Sequence, residues 1–232
     1  MKTMTDNVQK FVADLEAEIS EQRLSLTDAE ILLAVEAGTA TREQIGEWAK
    51  AFYATTRNGR LMIGNFYANS PDDPELRREL AENLYEEETG RLSGVGRCHM
   101  DVFADFLTAF DITLEQARRI PSPLGDLPTG GRTIPPEDFY IELAAYGLSV
   151  EAPNARFCDR ILRALKTNYG FTDGQLTWFS MHAVLDADHG DEFLKYVEAA
   201  ATHATGLERV RTNTLALCAT TKLIWNGAGT WQ

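Results

Sequence analysis

Apolar residues recur at three- and four-residue intervals along almost the whole chain. Val8, Phe11, Val12 and Leu15 form one stripe. Ile45, Trp48, Ala49, Phe52 and Tyr53 form another behind Thr41, whose hydroxyl suits a helix N-cap. Leu76, Leu80, Ala81 and Leu84 follow Pro74. Val102, Phe103, Phe106, Leu107 and Phe110 continue the pattern, and Leu207, Val210, Leu217 and Trp225 close it. No alternating run bounded by turn residues is long enough for a sheet, so the pattern predicts an all-α bundle of seven to nine helices. One stretch interrupts it. IPSPLGDLPTGGRTIPP, residues 120–136, holds five of the eight prolines and three glycines. No helix carries that density, so the segment is a long connection, either a binding loop or a plain crossover. Its Gly130–Gly131 pair lacks the GK[ST] element of a phosphate loop.

Composition narrows this picture. With 232 residues, 44% of them hydrophobic, the chain can bury one sizeable core, and a single domain spanning 1–232 is expected. A net charge of -13 argues against nucleic acid or an anionic membrane as partner, since either would need a basic face. A small-molecule substrate and a homodimeric assembly are the partners this reading allows. The start, MKTMTDNVQKFVADLEAEIS, lacks the apolar run of a signal peptide or membrane span, and a soluble, cytoplasmic protein is expected. Cys98, Cys158 and Cys218 are odd in number and outside any CxxC pair, which suggests neither disulfides nor a zinc–thiolate site.

Candidate chemistry enters at HAVLDADH, residues 182–189, where two histidines and two aspartates sit among Trp178, Phe179, Phe193 and Tyr196. On one helical wheel Asp186 lies about 40° from His182 and His189 about 20° on the other side, while Asp188 points away. The apolar neighbours fall within about 60° of His182, so HxxxDxxH occupies a core-facing stripe. Burying such a set is costly without compensation, and a bound cation is the strongest compensator.

Further ligands should then project from other helices. In NLYEEETG the wheel turns Glu87 inward with Leu76, Leu80 and Leu84, rotates Glu86 outward, and leaves Glu88 as the alternative to Glu87. His99 heads the stripe of Phe103, Phe106 and Phe110. Glu151 shares a face with Ala144, Leu148, Cys158 and Leu162, and Pro153 should disturb the helix and open space there. Singly, each has a bland explanation: a core histidine is usually just hydrogen-bonded, and a glutamate in EEE is usually solvated. Together, Glu87, His99, Glu151, His182, Asp186 and His189 put six nitrogen and oxygen donors on core faces, while His203 looks like surface. Such a set, without thiolate, suits two iron or manganese ions; zinc needs fewer ligands and calcium avoids imidazole. The ferritin-like arrangement is excluded, because no ExxH motif is present.

NLYEEETG, CHMDVFADFLTAF, the Glu two residues before Pro in VEAPNARF, and MHAVLDADHGDEF together resemble the haem-oxygenase-like di-metal oxidases and oxygenases. The resemblance covers about residues 40–225 and implies a TenA/PqqC-type bundle of seven or more helices. It implies a metal-ligand set of Glu87 (or Glu88), His99, Glu151, His182, Asp186 and His189. The extra RLSGVGRC segment between the glutamates and His99 departs from the compact family pattern. Also implied are two Fe ions, with Mn/Fe as the alternative pair, and O2 as co-substrate, reacting through a peroxo-di-iron(III) species. The substrate would be a small carboxylate or amine such as an amino acid, fatty acid or aminobenzoate, undergoing C–C cleavage, desaturation or N-oxygenation. Lys222 is the candidate partner for a substrate carboxylate, with Arg97 beside His99 as another; Tyr85 could donate a hydrogen bond or an electron. Two other classes remain open. One is a metal-free enzyme of the thiaminase or pyrroloquinoline-quinone branch, for which Cys158 on the Glu151 face is the candidate group. The other is a non-enzymatic interaction protein.

Overall fold

The computed structural model describes residues 4–125, 131–185 and 192–227. Among them are twelve α-helical segments and no strand. They are α1 (Met4–Glu21), α2 (Glu30–Glu36), α3 (Arg42–Thr56), α4 (Arg60–Asn69), α5 (Pro74–Thr89) and α6 (His99–Leu107). After the short α7 (Leu114–Ala117) come α8 (Phe139–Tyr146), α9 (Ala152–Tyr169), α10 (Thr177–Leu185), α11 (Glu192–Ala200) and α12 (Gly206–Trp225). The count exceeds the expected seven to nine for two reasons. α2 and α7 are too short to show a periodic stripe, and the apolar residues placed on one wheel around His182 divide between two helices with different neighbours. Trp178 and Phe179 are on α10, which packs on α9 and α6, whereas Phe193 and Tyr196 are on α11, which packs on α8 and α1.

Local chemistry sets several of these boundaries. Thr41 and Gln44 form a capping box at the start of α3, as the sequence indicated for Thr41. Asp73 accepts from the amides of Glu75 and Leu76 while Pro74 opens α5 without an amide to satisfy. Gly90 ends α5 in the left-handed region, at φ 56°. Between α8 and α9 the helix widens into a π-turn, Gly147–Glu151, just ahead of Pro153. Pro153 has no amide to bond Ser149 in α-helical fashion, and its ring would crowd that carbonyl. The local disturbance expected from Pro153 is therefore this extra-wide turn.

Two apolar clusters flank the site. The first contains Trp48, Phe52, Phe103, Phe106, Trp178 and Phe179. Phe103, Phe106 and Phe179 are fully buried, each worth roughly 1.5–3 kcal/mol relative to exposure. Trp178 stands edge-on to Phe103, with ring centroids 5.3 Å apart, and this stack fixes α10 against α6. The second cluster gathers Phe66, Leu80, Phe139, Leu143, Phe193 and Tyr196. On α12 the inward stripe is Val210, Thr214, Cys218, Thr221 and Trp225 rather than the leucines of the sequence pattern. α12 packs along α8. Among the described residues, no helix is long and apolar enough to cross a membrane.

Candidate metal centre

Packing of α5 and α10 against α6 brings three predicted donors together. Glu87, in the last turn of α5, His99, the first residue of α6, and His182, on α10, each offer an atom within 4.8 Å of the others. His99 Nδ1 is 2.8 Å from Glu87 Oε1, and His182 Nε2 is 3.9 Å from the same oxygen. The two imidazoles stand edge to face at 5.1 Å between centroids. His182 Nδ1 donates to the Trp178 carbonyl at 2.8 Å, so its Nε2 is the nitrogen left facing Glu87. Trp178 lies 4.1 Å from the His182 ring, centroid to centroid, and braces it from the apolar side.

Burial alone would raise the Glu87 pKa, but the two imidazoles outweigh it and hold the carboxyl at about 2. It is therefore an anion at neutral pH. An ionised carboxylate and two imidazole nitrogens, converging on one point and without thiolate, fit a divalent transition metal. Glu88, the alternative to Glu87, turns away and pairs with Arg60 at 2.5 Å.

Glu87 and His99 open onto a cavity of about 260 Å³. Glu151 reaches its wall from the π-turn without joining the three-donor cluster. Phe66, Leu80, Leu143, Phe193 and Tyr196 supply the apolar side, and Glu79, Glu82 and Asn83 line it from α5. Among the described residues no Lys or Arg lines the cavity. Asp186 and His189, with Asp188, lie outside the described residues.

Several expectations are corrected. Glu86 was expected outside, yet it is 8% exposed and its carboxylate lies 3.1 Å from His99 Nε2. The helical wheel compares a residue only with its own helix, and here the chain beyond Gly90 folds back over the outer face. Tyr85 is 43% exposed, accepts from Arg91 at 3.3 Å and is absent from the cavity wall. Lys222 is likewise away from it, holding the Arg23 carbonyl at 3.2 Å and Glu30 at 3.3 Å. Arg97 pairs with Asp105 on the surface. Cys158 is buried, donates to Asn154 Oδ1 at 3.5 Å and does not border the cavity. His203 is exposed. Glu79, Glu82, Asn83 and Tyr146 were not foreseen as cavity residues; the i, i+3, i+4 spacing of Glu79, Glu82, Asn83 and Glu86 was the available signal.

The sequence profile of the iron-containing redox enzymes matches residues 46–220, more than half of the chain. This chain belongs to that family. A 4-aminobenzoate synthase from Chlamydia pneumoniae is 23% identical to this member of the iron-containing redox enzyme family over 159 residues, 67% of either protein. Among solved structures, a Shewanella denitrificans domain of unknown function with a heme oxygenase-like fold superposes with a TM-score of 0.58 at 13% identity. It covers 100% of this chain and 93% of the other. A TenA homologue from P. horikoshii OT3 gives a TM-score of 0.54 at 14% identity, covering 99% of both. The fold of this iron-containing redox enzyme family member is thus the haem-oxygenase-like, TenA-type helical bundle that its motifs resemble.

Proposed function

We propose that this chain is an O2-activating non-haem di-iron oxidase or oxygenase acting on a small amine- or carboxylate-bearing metabolite. The observation that carries the proposal is the convergence of Glu87, His99 and His182 within 4.8 Å, with Glu87 and His99 at the wall of a cavity. Membership of the iron-containing redox enzymes favours iron over the other metals that such donors accept. Glu87, His99, His182 and Glu151 are the described residues that would hold it. Asp186 and His189 would complete the set needed for a second ion. When bound, iron supplies the electrons and the Lewis acidity for reaction with O2.

The chain's own contribution is placement and exclusion. The Trp178 carbonyl fixes the His182 tautomer, so one nitrogen is always presented to the centre. Glu87 is ionised before any metal arrives and adds no proton to be displaced at neutral pH. Phe66, Leu143 and Phe193 keep bulk water from one side of the cavity, whose volume of about 260 Å³ suits a small metabolite. The Glu82 carboxylate offers an acceptor to a substrate ammonium or hydroxyl, while Glu79 is held by Lys195 and Tyr196; a substrate carboxylate would find no Lys or Arg among the described residues of the cavity wall. Similarity to a 4-aminobenzoate synthase supports the amine-bearing, aminobenzoate end of this range. The reaction classes in view are oxidative C–C cleavage, desaturation and N-oxygenation.

The test is O2 consumption by protein loaded anaerobically with Fe(II), screened against amino acids, fatty acids and aminobenzoates. The expected result is a change in the visible spectrum on exposure to O2 and faster consumption with an amine-bearing compound. Absence of any spectral change, or consumption unaffected by His182→Ala, would contradict the proposal.

A further inference from the structure

RLSGVGRC, the insertion between the paired glutamates and His99, folds back on the end of α5 as a tight loop. Gly90, at φ 56°, starts it; a Cβ there would meet Val95 Cγ2 at 2.3 Å and the Arg97 carbonyl at 2.4 Å. The Gly96 amide closes it on the Gly90 carbonyl at 2.8 Å. The result is a pair of backbone donors aimed at one side chain. Leu92 N–H reaches Glu86 Oε2 at 2.6 Å, and Ser93 N–H reaches Oε1 at 3.1 Å. The third group on this carboxylate is His99 Nε2, 3.1 Å from Oε1.

His99 is therefore held between two carboxylates, one on each ring nitrogen. They are not equivalent. Glu87 sits with His182 in the three-donor cluster, whereas Glu86 lies outside that cluster with both oxygens already engaged by the loop. An imidazole that offers one nitrogen to a metal is oriented by what accepts a proton from the other. We infer that Glu86 is the positioning residue of His99, and that the inserted loop exists to lock its carboxylate as acceptor for Nε2–H so that Nδ1 is turned toward Glu87 and the metal. The inference rests on the metal reading given above, but the orientation of His99 can be tested without metal.

Three variants separate the parts. Glu86→Gln keeps the shape and the acceptor oxygen while removing the charge; Glu86→Ala removes the acceptor; Gly90→Val keeps Glu86 and disrupts the loop. Metal-free protein with 15N-labelled histidine should show, in the wild type, a His99 Nε2 proton protected from exchange with water. That protection should weaken in Glu86→Gln and disappear in Glu86→Ala and Gly90→Val, with far-ultraviolet circular dichroism confirming that the helices persist. Anaerobic Fe(II) titration against a coloured chelator should then show affinity lowered about 10–100-fold in Glu86→Ala with the saturating iron content unchanged. Wild-type affinity in Glu86→Ala, or an unchanged Nε2 proton, would overturn the inference. So would loss of iron at saturation, which would make Glu86 a ligand. If the wild type binds no iron at all, the di-iron proposal fails while the histidine spectra still decide the role of Glu86.

Discussion

Glu87 contributes differently to the protein with pH. Its carboxyl is held at about 2 against an ordinary value of 4.5, because the imidazoles of His182 and His99 outweigh the opposing effect of burial. A depressed carboxyl adds stability in the metal-free protein that is complete above about pH 4.5 and is lost as pH falls toward about 2. Denaturant unfolding of metal-free protein should show wild type more stable than Glu87→Gln at pH 7, with the gap narrowing steadily toward pH 3. A gap independent of pH would mean that the ion pairing does not stabilise the fold. The inward placement of Glu87 was legible in the sequence, because Leu76 and Leu80, two of the residues that share its face, are buried. Glu86 was not legible, because what buries it is a loop whose path depends on Gly90, Gly94 and Gly96 in the left-handed region.

At the scale of elements, the π-turn positions Glu151. Gly147 opens it where the ring of Phe193 on α11 presses against the backbone; a Cβ would lie 2.0 Å from Phe193 Cδ1. Gly147→Ala must push α11 off α8, and overpacking of that kind costs about 1–3 kcal/mol. The variant should unfold at lower denaturant than the wild type, and Gly147→Ala combined with Phe193→Leu should recover part of the loss. Equal midpoints for wild type and the single variant would show that the two helices separate freely. The sequence pointed to this region through Pro153, since a proline inside an apolar helical pattern must break a hydrogen bond. It could not say that the chain would widen rather than kink, because that outcome depends on the contact with Phe193, distant in sequence. The cap at Thr41 was readable because it acts on its own first turn.

For the whole molecule, the apolar periodicity determined the fold class without help from tertiary contacts, and the haem-oxygenase-like bundle agrees with it. The candidate centre was half visible. Glu87, His99 and His182 stand on three different helices, and each was identifiable from its own apolar stripe. The cavity was not visible, because its walls come from α4, α5, α8 and α11, whose mutual rotation no single stripe encodes. Lys222 fails as a substrate anchor for the same reason: its place on α12 is set by Glu30 and the Arg23 carbonyl. The acidic character of the chain extends into the cavity, where Lys195 pairs with Glu79 and a bound cation or a cationic substrate group would balance the rest. Counting the iron held after anaerobic loading and removal of excess metal tests the central claim most directly. Close to two irons per chain in the wild type, falling sharply in His182→Ala, is the predicted result; no iron in the wild type, or an unchanged count in His182→Ala, would contradict it.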